Sequence, residues 1–470
     1  MSIGNIPLFE LDVSVPSQLY MIEYSLVERG SLPFVPDFLL KLLQVADFLP
    51  QEVAHFFGFS RKELDHALSG FFRSGEVEYR KDGKLGLTAK GHALFSDTDT
   101  SPMRESIANY RKPFCFDLLT FSYLGNKPRP GRDSRTLKLK VDQEKVADSQ
   151  KLAKDSFQRN IHEIYKKGHL VKGAPQGGTP EIYKFSDCSK RKDFVDKIPE
   201  VLSLNAATYQ FEFEDRDGLA ESDTYIRART EALSSACGSN NINQISKVAD
   251  LLEDEFTLRL LQNEGVNAER LASLALDELQ GHGTESERRR LYGSFQLTRN
   301  WHDLFEKLKS ALKSDSDKAE KAELIWLAPS SHELWGKCER HGQALSEIYE
   351  LFSKHKSGTD GFKVYVPLPD DRDRRAKNTA QRENEEAGGR LFGFVESELL
   401  SPVEILLLKD KFVAVLYHFT DPERSPAPVP FGFLSTNGAD LARVYSLMTG
   451  VLKEYTGAGA PRDLGPIRRS

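Results

Sequence analysis

The sequence predicts a multidomain α+β protein: an N-terminal unit of three helices and a hairpin, a basic segment, a helical middle and a C-terminal α/β unit. Three observations carry this expectation. A chain of 470 residues exceeds what one hydrophobic core supports, at about 100–200 residues per domain. The apolar periodicity changes along the chain, from short helices and a hairpin, through long helices, to strand–helix–strand. Charge is also divided unevenly. Residues 1–103 hold 9 Lys/Arg against 14 Asp/Glu, a net of −5, and residues 104–192 hold 20 against 10, a net of +10; the whole chain is −6, so the rest sums to −11.

Composition narrows the class. Hydrophobic residues at 39% and charged residues at 29% suit a globular protein with a well-solvated surface. No apolar run approaches the roughly 18–20 residues that span a bilayer, and the acidic start with Pro7 and Pro16 lacks a secretory pattern. A soluble cytoplasmic protein without a membrane partner is expected. Cys115, Cys188, Cys237 and Cys338 are far apart with no CxxC pair, so free thiols are expected and no zinc ribbon.

The first unit spans residues 1–100. Pro36-Asp37 opens a helix carrying Phe38, Leu39, Leu42, Leu43, Val45 and Phe48, and a short helix follows from Pro50 to Phe57. After the Gly58-Phe59 turn, Ser60 caps a third helix with Glu63 at the capping-box position, and Leu64, Ala67, Leu68, Phe71 and Phe72 form its buried side. Gly75 closes it. Val77–Tyr79 and Leu85–Leu87 then make a hairpin around Asp82-Gly83.

That order, with Leu87-Thr88-Ala89-Lys90-Gly91 matching an "LTxxG" phrase, resembles bacterial winged-helix regulators. The resemblance covers about 60 residues. It implies a third helix lying in the DNA major groove, presenting Ser60, Arg61, Lys62, Asp65, His66 and Ser69. The hairpin would offer Arg80, Lys81 and Lys84 to phosphates. Glu63, Asp65, Glu76 and Glu78 dilute this basic face, and winged helices also serve as protein–protein adapters.

Residues 101–200 form the basic segment. Tyr110 to Leu124 reads as a helix or helix-turn, a Pro/Gly-rich basic loop follows, and Val146 to Lys167 reads as one amphipathic helix. "GHLVK" and "EIYKF" read as a closing hairpin, so a tandem second winged helix is the expectation, against a basic linker with a helical hairpin. Arg129, Arg132, Arg135, Lys138, Lys140, Lys166, Lys167 and Lys172 would be its phosphate-facing set.

Residues 201–315 read as mainly helical after a strand at Ala207–Asp215, and residues 316–456 as α/β, with 457–470 a disordered tail. In the α/β unit "LIWLAP" and "FKVYVPLP" are strands, and "VEILLLKDKFVAVLYHF" is a hairpin turning at Lys409-Asp410-Lys411. This strand order resembles a phospholipase-D-like unit. That family places a His, a Lys two residues on and an Asp five beyond it at the start of such a hairpin, with His as nucleophile and Lys holding phosphate. Aligned on the turn, the positions hold Pro402, Glu404 and Lys409, or, shifted by one, Val403, Ile405 and Asp410. The nucleophile is absent. The resemblance therefore implies a catalytically dead unit, as in TrmB-type regulators, where it accompanies a winged helix and binds a small effector. The nearest imidazole, His418, is expected at the sheet edge or in solvent.

His332, Cys338 and His341 have a spacing that evokes a metal, but a fourth ligand is not evident, and capping of the next helix is the simpler expectation. No phosphate loop, dinucleotide fingerprint or nucleophile elbow is present. The expectation is a non-enzymatic protein with no catalytic residues, metal or cofactor: a double-stranded-DNA-binding regulator of transcription, or a component of a bacterial defence or mobile-element system, acting as a homodimer or with partner subunits. A phospholipase-D-type nuclease and a winged-helix adapter subunit are the alternatives.

Overall fold

The computed structural model describes residues 4–95, 101–128, 135–170, 181–214, 222–262, 265–280, 288–314, 321–368, 378 and 391–453. It is a mixed α+β structure with several sheets. The chain opens on a strand of 27 residues, β1 (Asn5–Ser31). Helices α1 (Phe34–Val45), α2 (Pro50–Phe57) and α3 (Arg61–Ser74), strands β2 (Val77–Tyr79) and β3 (Leu85–Leu87) and the turn α4 (Ala89–His92) form a compact head. Next come β4 (Met103–Asp117), β5 (Tyr123–Gly125), β6 (Leu137–Lys138), three short helices α5 (Gln143–Ala147), α6 (Ser149–Arg159) and α7 (Ile161–Lys166), then β7 (Glu181–Asn205) and β8 (Phe211–Phe213).

The long strands β1, β4 and β7 form one antiparallel ribbon. β1 pairs with β4 from Ser17↔Asp117 to Ser31↔Met103, and with β7 from Asn5↔Asn205 to Val27↔Glu181. At about 3.3 Å per residue, β1 extends on the order of 85 Å. The head leaves the ribbon at Ser31 and rejoins it at Met103, so it is an insertion at the tip. Arg104 ties the joint, paired with the buried Glu76 and lying over the Phe71 ring. On one ribbon face Tyr20, Ile22, Tyr24, Phe114 and Phe116 pack against Ala153, Phe157, Ile161 and Ile164 of α6 and α7.

The basic segment departs from expectation here. Tyr110–Asp117 is strand, not helix, and the chain turns at Asp117, whose carboxylate accepts the N–H groups of Leu119, Thr120 and Ser122 at 2.6–2.8 Å. The expected helix from Val146 to Lys167 is broken at Asp148 and Asn160 into three. "EIYKF" opens a 25-residue ribbon strand, and the turn of the expected hairpin, with Val171 and Lys172, lies outside the described residues. Sequence reading also assigned no element to residues 5–31.

The body begins with α8 (Asp223–Ala236), α9 (Ile242–Leu251), α10 (Glu255–Leu260), a two-stranded turn β9 (Leu261–Gln262) and β10 (Gly265–Val266), and α11 (Ala268–Leu279). It continues with β11 (Arg288–Tyr292), α12 (Thr298–Ser314), β12 (Leu324–Leu327), α13 (Glu339–Ser353), β13 (Phe362–Leu368), β14 (Leu391–Glu396), β15 (Val403–Leu408), β16 (Phe412–Phe419), β17 (Val429–Ser435) and α14 (Gly438–Lys453). Seven strands form one sheet in the order β11-β17-β16-β15-β12-β13-β14, parallel from β12 to β14 and antiparallel elsewhere. β11, read with the helical middle, is thus an edge strand of the C-terminal sheet. Both faces of that sheet are covered, which explains its unbroken apolar runs. Ile405, Leu407, Val413 and Val415 face a core shared with α9, α11 and the base of β1, through Leu8, Leu11 and Val13. Trp326, Leu406, Leu408 and Ala414 face α12 and α13.

Phe157 is fully buried against Tyr24, Phe114 and Phe185, with ring centroids 4.8–6.0 Å away. Phe157→Ala should cost about 3–5 kcal/mol locally. Hydrogen exchange should accelerate in α6 and the facing ribbon strands while β15 and β16 keep their protection; a uniform change would refute a separate ribbon core.

Candidate functional site

The third helix of the head is built as its sequence dictates. Ser60 Oγ accepts from Glu63 N at 3.4 Å, and Glu63 Oε2 accepts from Ser60 N and Ser60 Oγ, each at 2.7 Å. These bonds hold the Glu63 carboxyl below its ordinary range. Leu64, Leu68 and Phe71 point inward, and Gly75 ends the helix with φ 71°. The outer arc carries Arg61, Lys62, Asp65, His66 and Arg73, all exposed. Arg73 was missed by sequence reasoning, although it lies seven residues, about two helical turns, after His66.

The hairpin is pinned to the head by Arg80. It donates to Asp47 (3.3 Å), to Glu78 and to the Leu87 carbonyl (2.7 Å). Gly86 is required there, because a Cβ would run into the Asp47 carboxylate and the Arg80 side chain. Arg80 is therefore a structural cation, while Lys81 stays exposed and Lys84 is half-buried, 3.5 Å from Asp82. Residues 34–95 hold eight Lys/Arg and eight Asp/Glu, a net of zero.

The second basic set is scattered. Lys138 sits on β6 beside Ser14, and exposed Lys140 follows it. Arg135 lies half-buried at the body, where a Cβ on Gly342 of α13 would meet its Nη1 at 3.1 Å. Lys166 and Lys167 are exposed at the end of α7, Lys167 paired with Glu163 at 2.6 Å and placed over Tyr123. Arg129, Arg132 and Lys172 lie outside the described residues, as do the charged loop containing Arg372 and the C-terminal tail. The Arg288-Arg289-Arg290 run is committed to the fold: Arg288 to Asp440 (2.5 Å), Arg289 to Asp303 (2.6 Å) and Arg290 to buried Asp254 (2.8 Å).

Inside the body, residues distant in sequence meet in one hydrogen-bonded line. Leu334 N donates to His332 Nδ1 at 3.1 Å, which leaves the proton of neutral His332 on Nε2. Nε2 then donates to His418 Nδ1 (3.1 Å), and His418 Nε2 donates to Glu404 Oε2 (2.9 Å). Glu404 Oε1 accepts the indole N–H groups of Trp326 (2.9 Å) and Trp335 (2.8 Å). His332, His418 and Glu404 are all buried. His418 therefore points inward, against expectation: it lies on the α12/α13 side of β16, where solvent is excluded. His341 stacks edge-on against Trp335 and bonds Gln296 at 2.9 Å. Among the described residues no group of three or more His, Cys, Asp or Glu is arranged to hold a metal ion. No helix there is long and apolar enough to cross a membrane. Comparison with known proteins matches no family model, no curated protein and no solved structure.

Burial pushes His332 and His341 well below their ordinary value of 6.5, His418 and Arg135 adding to the respective shifts. The unfolded chain thus binds more protons than the native one below about pH 6.5. Stability should be level above that pH and fall beneath it, by up to ~1.4 kcal/mol per pH unit for each histidine. Denaturant unfolding followed by tryptophan fluorescence from pH 5 to 7.5 checks this; His332→Gln and His341→Gln should each flatten the slope, and slopes equal to wild type would refute the assignment.

Proposed function

We propose that the chain is a non-enzymatic DNA-binding protein of the cytoplasm, regulatory or accessory, in which the head is a winged helix that contacts double-stranded DNA. The observation that carries this reading is the outer arc of α3. It offers Arg61, Lys62, His66 and Arg73 on one exposed face, beside a hairpin with exposed Lys81 and half-buried Lys84, at the ribbon end away from the body. The major groove admits a helix of this kind, and the hairpin lysines suit flanking phosphates. Ser60 is spent on its cap and Arg80 on the hairpin, so neither is given a base-reading role.

A second reading, a protein–protein adapter, draws on a different face of the same head. Phe34, Phe38 and Val45 are 74%, 42% and 81% exposed and recur at i, i+4 and i+11, one stripe along α1. The neutral charge of the head also suits protein contacts. The phosphodiesterase alternative finds no support at the hairpin start. Glu404 is buried under two indoles and an imidazole, and Pro402 has no nucleophilic side chain.

An electrophoretic shift series with a double-stranded probe separates the readings. Arg61→Glu with Lys62→Glu should weaken binding at least tenfold, and Arg73→Glu nearly as much. With about 3–5 phosphates neutralised, log K should fall with log salt at a slope of roughly −3 to −4.5. Absence of binding at low salt, or equal losses from charge reversal at Lys166 and Lys167, would sink the DNA reading and favour the adapter.

A further inference from the structure

A cleft of about 840 Å³ opens where the base of β1 and β7 meets α12 and α13, in the body and remote from the head. Its hydrogen-bonding groups are lopsided. On the floor Asp12, 8% exposed, accepts Glu339 N on Oδ2 at 2.9 Å, while its other oxygen has no hydrogen bond among the described residues. Gln296, 6% exposed, uses its amide nitrogen on His341 and leaves its carbonyl oxygen open in the same sense. Both open groups are acceptors.

The walls have the same bias. Trp301 and Phe305 stack at 5.7 Å on α12, an aromatic surface along one side. Opposite them on α13 stand exposed Glu339 and Glu347, the latter accepting Trp301 Nε1 at 2.6 Å. The basic residues of the lining are already matched: Arg340 with Glu10 at 3.2 Å, and Lys309 with Glu306 at 2.8 Å. Glu200 is matched by Arg229 from behind at 3.0 Å. Among the described residues Glu339 and Glu347 therefore remain as negative charge without a paired cation, while Asp12 feels the Lys197 charge and contributes one open acceptor oxygen. A ligand here must donate hydrogen bonds, carry positive charge and lie along the Trp301–Phe305 aromatic surface.

We propose that this cleft binds a small organic cation bearing several N–H donors, a guanidinium or an oligoamine. The donors would meet Asp12 and Gln296 on the floor, the charge would meet Glu339 and Glu347, and the edges of Trp301 and Phe305 would line one side. The proposal is independent of DNA contact by the head, because no residue of the head lines the cleft.

The three tryptophans supply a reporter, since Trp301 stacks on Trp326 at 6.1 Å and Trp326 meets Trp335 at 6.0 Å. The full-length protein is titrated with n-butylguanidinium and with spermidine, and with n-butylurea as the neutral isostere, by fluorescence and calorimetry. Either cation should bind at least about tenfold tighter than butylurea, with a change in tryptophan emission. Glu339→Gln combined with Glu347→Gln should weaken binding about five- to tenfold and leave the thermal midpoint within a few degrees. Trp301→Leu should remove most of the emission response. A response equal for butylurea and the cations, no binding at millimolar concentration, or affinity unchanged in the folded double glutamine variant would each overturn the proposal.

Discussion

The antiparallel ladder between β1 and β7 is the constraint on which the rest depends. Its lower end is interior: Leu8, Leu11, Val13 and Val15 of β1 and Leu202 and Leu204 of β7 belong to the same core as β15, β16 and α11. Its upper end is the frame for two insertions, the head between β1 and β4 and the helices α5–α7 between β4 and β7. A period of two governs both ends, and a slip of one residue would exchange Tyr20, Ile22 and Tyr24 for Leu19, Met21 and Glu23 beneath α6. Four register shifts in the β1–β7 ladder, three of them between Leu19 and Leu26, occur where the strands must bend while keeping the aromatic face inward. The head's position relative to the body thus follows from ladder hydrogen bonds and sheet twist rather than from a linker.

What could be read from the sequence follows the distance over which each element is determined. The head was legible almost residue by residue: the Ser60–Glu63 capping box, Gly75 at the helix end and the Asp82-Gly83 turn are local signals, and each stands where its chemistry requires. β4 was misread because Phe114, Phe116, Leu118, Leu119 and Phe121 fit a helical spacing as well as an alternating one. Only pairing with β1 decides for strand, and the Asp117 turn then separates the last three. β7 was read only as the short strand "EIYKF" for the same reason. Its partners lie more than 150 residues earlier, and Lys190–Asp193 interrupts any apolar alternation that would mark a long strand.

The buried network shows the same limit more sharply. His332 and His341 were weighed as metal ligands, Glu404 as a misplaced phosphate-binding position and His418 as a peripheral imidazole. The fold joins the first, third and fourth into one line across 86 residues, with Leu334 N fixing its proton positions. No periodicity reports such a contact. The one available signal was compositional: Glu404 and His418 stand inside β15 and β16, strands whose other residues are apolar or aromatic. A polar residue in such a run must find partners or be costly to bury, by about 1–3 kcal/mol for each group left unmet.

The same reasoning fixes what the line is able to do. Glu404 loses water on all sides, and three N–H donors take its place, so the carboxylate is satisfied by the interior and has no open lone pair directed to solvent. An imidazole that transfers a proton to a substrate needs one nitrogen within hydrogen-bond reach of it. His418 has none, since His332 holds Nδ1 and Glu404 holds Nε2. The arrangement that resembles catalytic machinery in its residue types is, by its connectivity, a closed strut. It ties β15 and β16 to the segment between β12 and α13, where Phe9 of β1 also packs against the His332 ring. The charged and accepting groups open to a ligand lie elsewhere, on the outer arc of α3 and in the cleft.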